Sequence, residues 1–356
     1  MSLLLVLGVV AVAQAIFVVL LAAFVILRRE RLVRRADHVR GGRAQLTAPL
    51  AQWLAGRGTV QRVVEALRGL PRDAALAFAG ELLDTRVPRS LRTNFGEALR
   101  GERWAVWAID GCTSGRWWRR LDATRALGIV GTLADAELLR PLLGDPHPAV
   151  RLAAAQALVA VDDPELVRLA VSRYPREALA VRLFMCNTLR AVWRVTEEPL
   201  RSFLASDAPP GDLAAWLGLA ESLDLPSLRP AVTQLVGHPD PEVRAPAARA
   251  LRRYPHADSV EAVIPLLDDP QDFVRAAAAQ ALGVLRAAEA QPRLEHGLVD
   301  RAWWVRFRSA LALALLGEPG RAALRLARGS NDRFAREMAE MISGLSDGAV
   351  LELADA

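Results

Sequence analysis

The chain has 356 residues, a length that suits an elongated repeat array or two domains better than one compact core. All 45 basic residues are arginine, and the absence of lysine excludes a P-loop lysine, a Schiff-base lysine and a Ser–Lys nucleophile pair. The only two cysteines, Cys112 and Cys186, form no CxxC motif, which excludes a cysteine-based zinc site and fits a reducing compartment.

The first predicted element is a transmembrane helix over residues 2–27, whose only strongly polar residue is Gln14. At about 1.5 Å per residue, this helix is longer than the hydrocarbon core of roughly 30 Å. A cleaved signal peptide would have basic residues before a shorter apolar run. Here the basic residues follow the run, so we predict a retained anchor over residues 1–27.

The next predicted element is a basic juxtamembrane segment over residues 28–43, with seven arginines and two acidic residues. The remaining chain holds 38 arginines and 38 acidic residues, so the basic excess is confined to this segment. The positive-inside rule then predicts a single-pass protein of the inner (cytoplasmic) membrane with its N-terminus outside and the remainder cytoplasmic. Five arginines are expected to contact anionic lipid headgroups: Arg28, Arg29, Arg31, Arg34 and Arg35.

Residues 44–87 have a helical pattern but lie outside the repeat that follows, and we interpret them as an irregular N-terminal cap. From there a degenerate unit recurs every 31 residues, as in VRLAAAQAL, VRAPAARAL and VRAAAAQAL. At the position of residue 213 a leucine replaces the arginine. The register contains these arginines: Arg89, Arg120, Arg151, Arg182, Arg244, Arg275, Arg306 and, one residue short, Arg336.

Each unit has the apolar spacing of two helices, with Asp-Pro or His-Pro turns between them. A fixed period of this length indicates stacked repeats, because no single helix pair can bury both of its faces. We therefore predict a repeat array over residues 88–345 and a C-terminal tail over 346–356.

These repeats resemble the HEAT-repeat family, in particular the short bacterial repeats of the phycobilisome-lyase type. The resemblance implies an all-α, right-handed α-solenoid of stacked helix pairs, here preceded by the transmembrane helix. It also implies a structural ladder formed by a turn aspartate and an arginine six residues later. That spacing is present in three pairs, Asp145 with Arg151, Asp269 with Arg275 and Asp300 with Arg306, whereas Arg182 and Arg244 follow Arg176 and His238.

Tryptophans form the candidate partner surface. The pairs Trp117-Trp118 and Trp303-Trp304 hold the same register, and residues 103–120 add Trp104 and Trp107. Two adjacent side chains cannot both face the core of one helix, so at least one of each pair is expected to be partly exposed. Packing in the wall of the solenoid is the alternative to partner contact.

The chain is therefore expected to be a non-enzymatic scaffold without cofactor or metal, binding a protein partner such as a membrane enzyme or transporter. Two alternatives stay open. One is a phycobilin-lyase-like or other small-molecule-handling protein. The scarcity of cysteine, histidine and acid–base groupings argues against it. The other is a HEAT-like nucleic-acid-binding protein, against which the zero net charge of residues 44–356 argues.

Overall fold

The computed structural model describes residues 21, 29–30, 36–37, 39–85 and 87–355. Within these residues every regular element is a helix, and the chain divides into two compact units, residues 1–161 and 162–356. Among the described residues, the helices lack an apolar stretch of the length that a membrane span needs. Apart from residue 21, the predicted span 2–27 lies outside the described residues.

Unit 1 contains the predicted cap and the first repeats. Its helices are α1 (residues 39–54), α2 (Val60–Arg68), α3 (Arg72–Thr85), α4 (Arg89–Arg100), α5 (Arg103–Ile109), α6 (Trp117–Val130), α7 (Ala136–Leu142) and α8 (Pro148–Val161). The cap shares one hydrophobic core with α4 and α5: Trp53 of α1 stacks on Phe95 of α4 with ring centroids 5.4 Å apart.

Unit 2 contains thirteen α-helices among the described residues, joined by short turns and single 3₁₀ turns. They are α9 (Pro164–Arg173), α10 (Leu179–Ala191), α11 (Trp193–Leu204), α12 (Pro210–Leu223), α13 (Arg229–Leu235), α14 (Pro241–Leu251), α15 (Ala257–Val263), α16 (Asp272–Val284), α17 (Gln291–Gly297), α18 (Trp303–Leu315), α19 (Glu318–Ala327), α20 (Arg333–Ser343) and α21 (Asp347–Asp355).

The helices of unit 2 form two layers. The long helices α12, α14, α16, α18 and α20 form one layer, in which each helix packs on the next. The shorter helices α13, α15, α17 and α19 lie beside them. Small side chains permit this close stacking: a methyl group added to Gly283 of α16 would lie 2.6 Å from Cα of Ala312 in α18. The alanine-rich runs of the repeat are therefore the contact faces of its long helices.

Proline and aspartate begin many of these helices. Asp163 accepts a hydrogen bond from the Leu166 amide at the start of α9, and Asp332 accepts one from Ala335 at the start of α20. Each bond satisfies an amide that has no partner within its own helix. The Asp-Pro signals of the sequence thus end one helix and start the next.

Candidate protein-binding surface

The register arginines of the repeat hold the turn that precedes their own helix. Nη1 of Arg275 donates to the backbone carbonyl of Asp269 at 2.8 Å, and Nη1 of Arg306 donates to the carbonyl of Asp300 at 2.8 Å. The same bond to the residue six positions earlier is made by Arg120, Arg151, Arg244 and Arg336. The recurring spacing of six residues thus joins the arginine to a backbone carbonyl rather than to the aspartate side chain.

For three register arginines the carboxylate partner lies 25 residues later, in the next repeat. Arg275 donates through Nε and Nη2 to both carboxylate oxygens of Asp300, at 2.8 and 2.9 Å. Arg244 pairs in the same way with Asp269, although His238 precedes it at the position of the turn aspartate. Arg120, which was in the register but not in the predicted ladder, forms the same bidentate pair with Asp145. Such paired, charge-assisted hydrogen bonds tie neighbouring repeats together.

Each paired aspartate is also held from its own turn. The carboxylates of Asp145, Asp269 and Asp300 accept hydrogen bonds from the backbone amides of the residues two positions later, at 2.8 to 2.9 Å. Burial by itself raises the pKa of Asp300, but the hydrogen bonds from Arg275 and Ala302 and the Arg275 charge outweigh it and lower that pKa. The folded protein therefore holds these carboxylates ionised.

Of the five predicted ladder arginines, Arg244 and Arg275 pair with the residue 25 positions later, whereas for Arg151 that residue is Arg176. No carboxylate within the described residues pairs with Arg182, and its buried Nε has no hydrogen-bond acceptor. Residue 331, at the carboxylate position for Arg306, is asparagine, and the Arg306 guanidinium instead lies 4.4 Å from the ring centroid of Phe334. These positions show where the ladder is incomplete.

Exposed aromatic side chains occupy one register position at the start of three consecutive long helices of unit 2. They are Phe273 of α16, Trp304 of α18 and Phe334 of α20, with 39%, 61% and 48% of their surface exposed. We call these three residues the aromatic row. Each lies two positions before its register arginine, at the solvent-facing start of the helix.

Neighbouring rings fix the orientation of the central member of the aromatic row. Trp303 stacks on Phe307 at 4.9 Å between centroids, and Trp304 lies edge-on to both rings, at 4.6 and 6.0 Å. Both tryptophans of this pair are exposed. The cluster thus presents a preorganised apolar surface, and aromatic groups of this kind beside arginine are favoured in protein interfaces.

Unit 1 has its own exposed tryptophans. Trp117 stacks on His147 with centroids 3.9 Å apart, and the Arg116 guanidinium lies over Trp118. Trp107 lies between the guanidinium groups of Arg72 and Arg119, at 5.5 and 5.1 Å. All three tryptophans are partly exposed.

Trp104 was assigned to the partner surface, and this assignment is wrong. Only 5% of its surface is exposed, and it packs in the hydrophobic core of unit 1. Trp104 and Trp107 are three residues apart in α5, and only the packing of that helix decides which of them faces inward. Cys112 is buried as well, and burial raises its pKa to about 11, so its thiol is poorly suited to act as a nucleophile.

The predicted lipid-contact arginines fall mainly outside the described structure. Arg29 is helical and exposed, whereas Arg28, Arg31, Arg34 and Arg35 lie outside the described residues. Within the described part of the chain, no group of three or more His, Cys, Asp or Glu side chains could hold a metal ion.

Comparison with family models identifies HEAT repeats in both units. Residues 197–283 and 261–343 match a model described as HEAT repeats, and residues 137–161 match a second, described as HEAT repeat. The narrower resemblance to the phycobilisome-lyase type has no match among these models. No curated protein matches the chain.

Solved structures give distant similarities. An engineered protein has 16% identity and a TM-score of 0.36, with 83% of this chain and 97% of that chain covered. Human deoxyhypusine hydroxylase in complex with glycerol has 22% identity and a TM-score of 0.28, covering 76% and 96%. Kap121p has 13% identity and a TM-score of 0.40, covering 78% and 41%. All three TM-scores are low.

Proposed function

We propose that this chain of HEAT repeats is a non-enzymatic scaffold that binds a protein partner through the aromatic row of unit 2. The observation that carries the proposal is the register-matched exposure of Phe273, Trp304 and Phe334 on three consecutive helices. Large apolar side chains clustered on a surface are costly to leave in water, and such patches mark interaction sites. Stacked repeats bind partners through extended surfaces of this kind.

The partner is proposed to be a protein of the inner membrane, such as a membrane enzyme or transporter. Support comes from the sequence: the apolar segment 2–27 is followed by the basic segment 28–43. Together they fit a retained anchor that holds the repeats on the cytoplasmic face. Alkaline extraction of membranes tests this part, because the full chain should stay in the pellet and a chain lacking residues 2–27 should be released.

Site-specific photo-crosslinking in cells tests the aromatic row. A photoreactive phenylalanine at Trp304 should yield a discrete crosslinked protein, which mass spectrometry then identifies. The matched control is the same group at Leu326 of α19, which is 79% exposed and lies outside the row. Crosslinks that are equal at both positions, or that contain only nucleic acid, would refute the proposal.

Substitution of the same residue adds a quantitative test. Because Trp304 is largely exposed, Trp304→Ala should leave the unfolding midpoint nearly unchanged while weakening the isolated complex at least tenfold. Leu326→Ala should change neither quantity. An unchanged affinity in the Trp304→Ala variant would remove the aromatic row from the interface.

A further inference from the structure

The last described helix, α21, folds back onto the long helices of unit 2. It packs against α16 and α18, although the sequence predicted only a tail over residues 346–356. Val350 and Ala354, four residues apart, face this contact and are buried, whereas Leu351 and Leu353 on the other side are exposed. The helix has nine residues and is therefore too short to be stable without the surface it covers.

Three side chains from three consecutive long helices converge on the end of α21. Nη1 of Arg308 donates to the carbonyl of Leu353 at 2.7 Å, and Nε2 of Gln280 donates to the carbonyl of Ala354 at 2.7 Å. Arg252, which follows α14, reaches the same Ala354 carbonyl at 3.4 Å. The last carbonyls of a helix accept no hydrogen bond within that helix and carry a partial negative charge. The three donors therefore complement them.

Two guanidinium groups line this groove, and one carboxylate lies beside them. Arg252 pairs with Glu221 at 2.7 Å, whereas no carboxylate in the described part of the chain pairs with Arg308. Burial together with the charge of Arg252 lowers the Arg308 pKa from its ordinary value. Gln280 is also buried, so its amide depends on the Ala354 carbonyl for a partner. A surface with these properties favours an electron-rich group, such as the final turn of a helix, over an uncharged apolar one.

We propose that the groove formed by Arg252, Gln280 and Arg308 is a docking site for the C-terminal turn of an amphipathic helix from the partner protein, and that α21 is its intramolecular competitor. The chemistry of α21 defines the partner helix. Its last two turns carry small or aliphatic residues at positions i and i+4, as Val350 and Ala354 do in α21. Acidic residues stand before, between and after them, as Asp347, Glu352 and Asp355 do.

The short connection between α20 and α21 explains how the competitor acts. Residues 344–346 tether α21 beside the groove, so its effective concentration is high although only Val350 and Ala354 are buried. A partner helix with a longer apolar face can then displace α21 without disturbing α16 or α18. This inference rests on the proposed function, because it assigns the class of protein that the scaffold binds.

Peptide binding to the full chain in detergent tests the inference. The probe is a fluorescein-labelled peptide with the sequence of residues 346–356 behind an alanine-rich helical leader, and binding is followed by anisotropy. The double variant Val350→Glu with Ala354→Glu, which detaches α21, should bind the probe at least tenfold more tightly than the unmodified chain. Addition of Arg308→Ala to that variant should lower the affinity at least tenfold.

Each other result overturns the inference. Equal or absent binding by the unmodified chain and the double variant would show that α21 covers no docking site, and an unaltered affinity after Arg308→Ala would show the same for the groove. A large fall in the unfolding midpoint of the double variant would make α21 a structural cap. Dimers of the unmodified chain that the double variant cannot form would identify the occupant as a second copy of α21. Crosslinking at Trp304 is independent of these outcomes, so the scaffold proposal can hold even if this one fails.

Discussion

Two regions of unit 2 have the same register but different ladders. Around α14, α16 and α18, Arg244 and Arg275 form bidentate pairs with aspartates of the next repeat. Around α10 and α12, Arg182 has no such pair, although Asp207 stands 25 residues later, and Leu213 replaces the following arginine. An aspartate 25 residues after the register arginine is therefore not sufficient to form the ion pair.

The turn that holds the aspartate explains the difference. Asp269 and Asp300 each accept a hydrogen bond from the amide two positions later, which directs the carboxylate toward the arginine. Two positions after Asp207 stands Pro209, which has no amide hydrogen to donate. In this region the contact between elements is made instead by Trp216, whose ring stacks on Phe203 and whose Nε1 donates to the carbonyl of Val171. An ion pair between neighbouring repeats thus needs a preorganised carboxylate as well as an arginine.

The largest expected effect comes from one substitution made in both regions. Gly283→Ala should destabilise unit 2 by about 2–3 kcal/mol, because its methyl group would overlap the backbone of α18. Gly218→Ala in α12 meets no atom within 4 Å and should stabilise the protein by up to about 1 kcal/mol, the helix propensity of alanine over glycine. Chemical denaturation of both variants measures the difference, and shifts of the same sign would contradict the assigned packing.

Removal of the ladder arginine in each region should give the next largest effect. Arg275→Ala removes the bidentate pair and the bonds to the preceding turn, leaves Asp300 without its charge partner, and should cost about 2 kcal/mol. Arg182→Ala removes no ion pair and should cost less than about 0.5 kcal/mol. Equal losses of unfolding free energy in the two variants would show that the carboxylate pair contributes little.

The two regions should also differ, by a smaller free energy, in how the loss of an aspartate affects stability at different pH. Because the folded state lowers the pKa of Asp300, its contribution is present above the ordinary aspartate value of about 4 and is lost as the pH falls toward the lowered value. The destabilisation by Asp300→Asn, measured by urea unfolding, should therefore shrink as the pH is lowered below about 4. Asp207→Asn, at an exposed position of the other region, should change the unfolding free energy by less than about 0.5 kcal/mol. A destabilisation by Asp300→Asn that is constant with pH would contradict the ion pair.

Replacement of Pro209 should create a weak energetic coupling between Arg182 and Asp207. Pro209→Ala restores an amide two positions after Asp207 and should allow the carboxylate to turn toward Arg182. A double-mutant cycle between Arg182→Ala and Asp207→Ala should then show about 0.5 kcal/mol of coupling in the Pro209→Ala background and none in the parent chain. The absence of coupling in both backgrounds would mean that another feature of the loop at residues 205–209 separates the two side chains.

The sequence predicts stacked helix pairs correctly, because a 31-residue period with alanine-rich helices has few other structural solutions. The register also contains Arg120, Arg244 and Arg275, which pair with the next repeat. The sequence does not identify the carboxylate partners of these arginines, for an arithmetic reason. In a 31-residue repeat, an arginine six residues after one aspartate is also 25 residues before the next aspartate. Both pairings fit the spacing equally, and only the contact between repeats distinguishes them.

Three further features depend on packing between helices. The packing of α5 turned Trp104 into the core and left Trp107 exposed, which a short run rich in tryptophan does not specify. The surface of α16 and α18 decided that residues 347–355 form a docked helix, because nine residues do not form a stable helix in isolation. The position of the aromatic row on consecutive helices likewise follows from stacking. Sequence periodicity reports which residues recur, whereas contact across repeats decides which of them meet and which remain exposed to a partner.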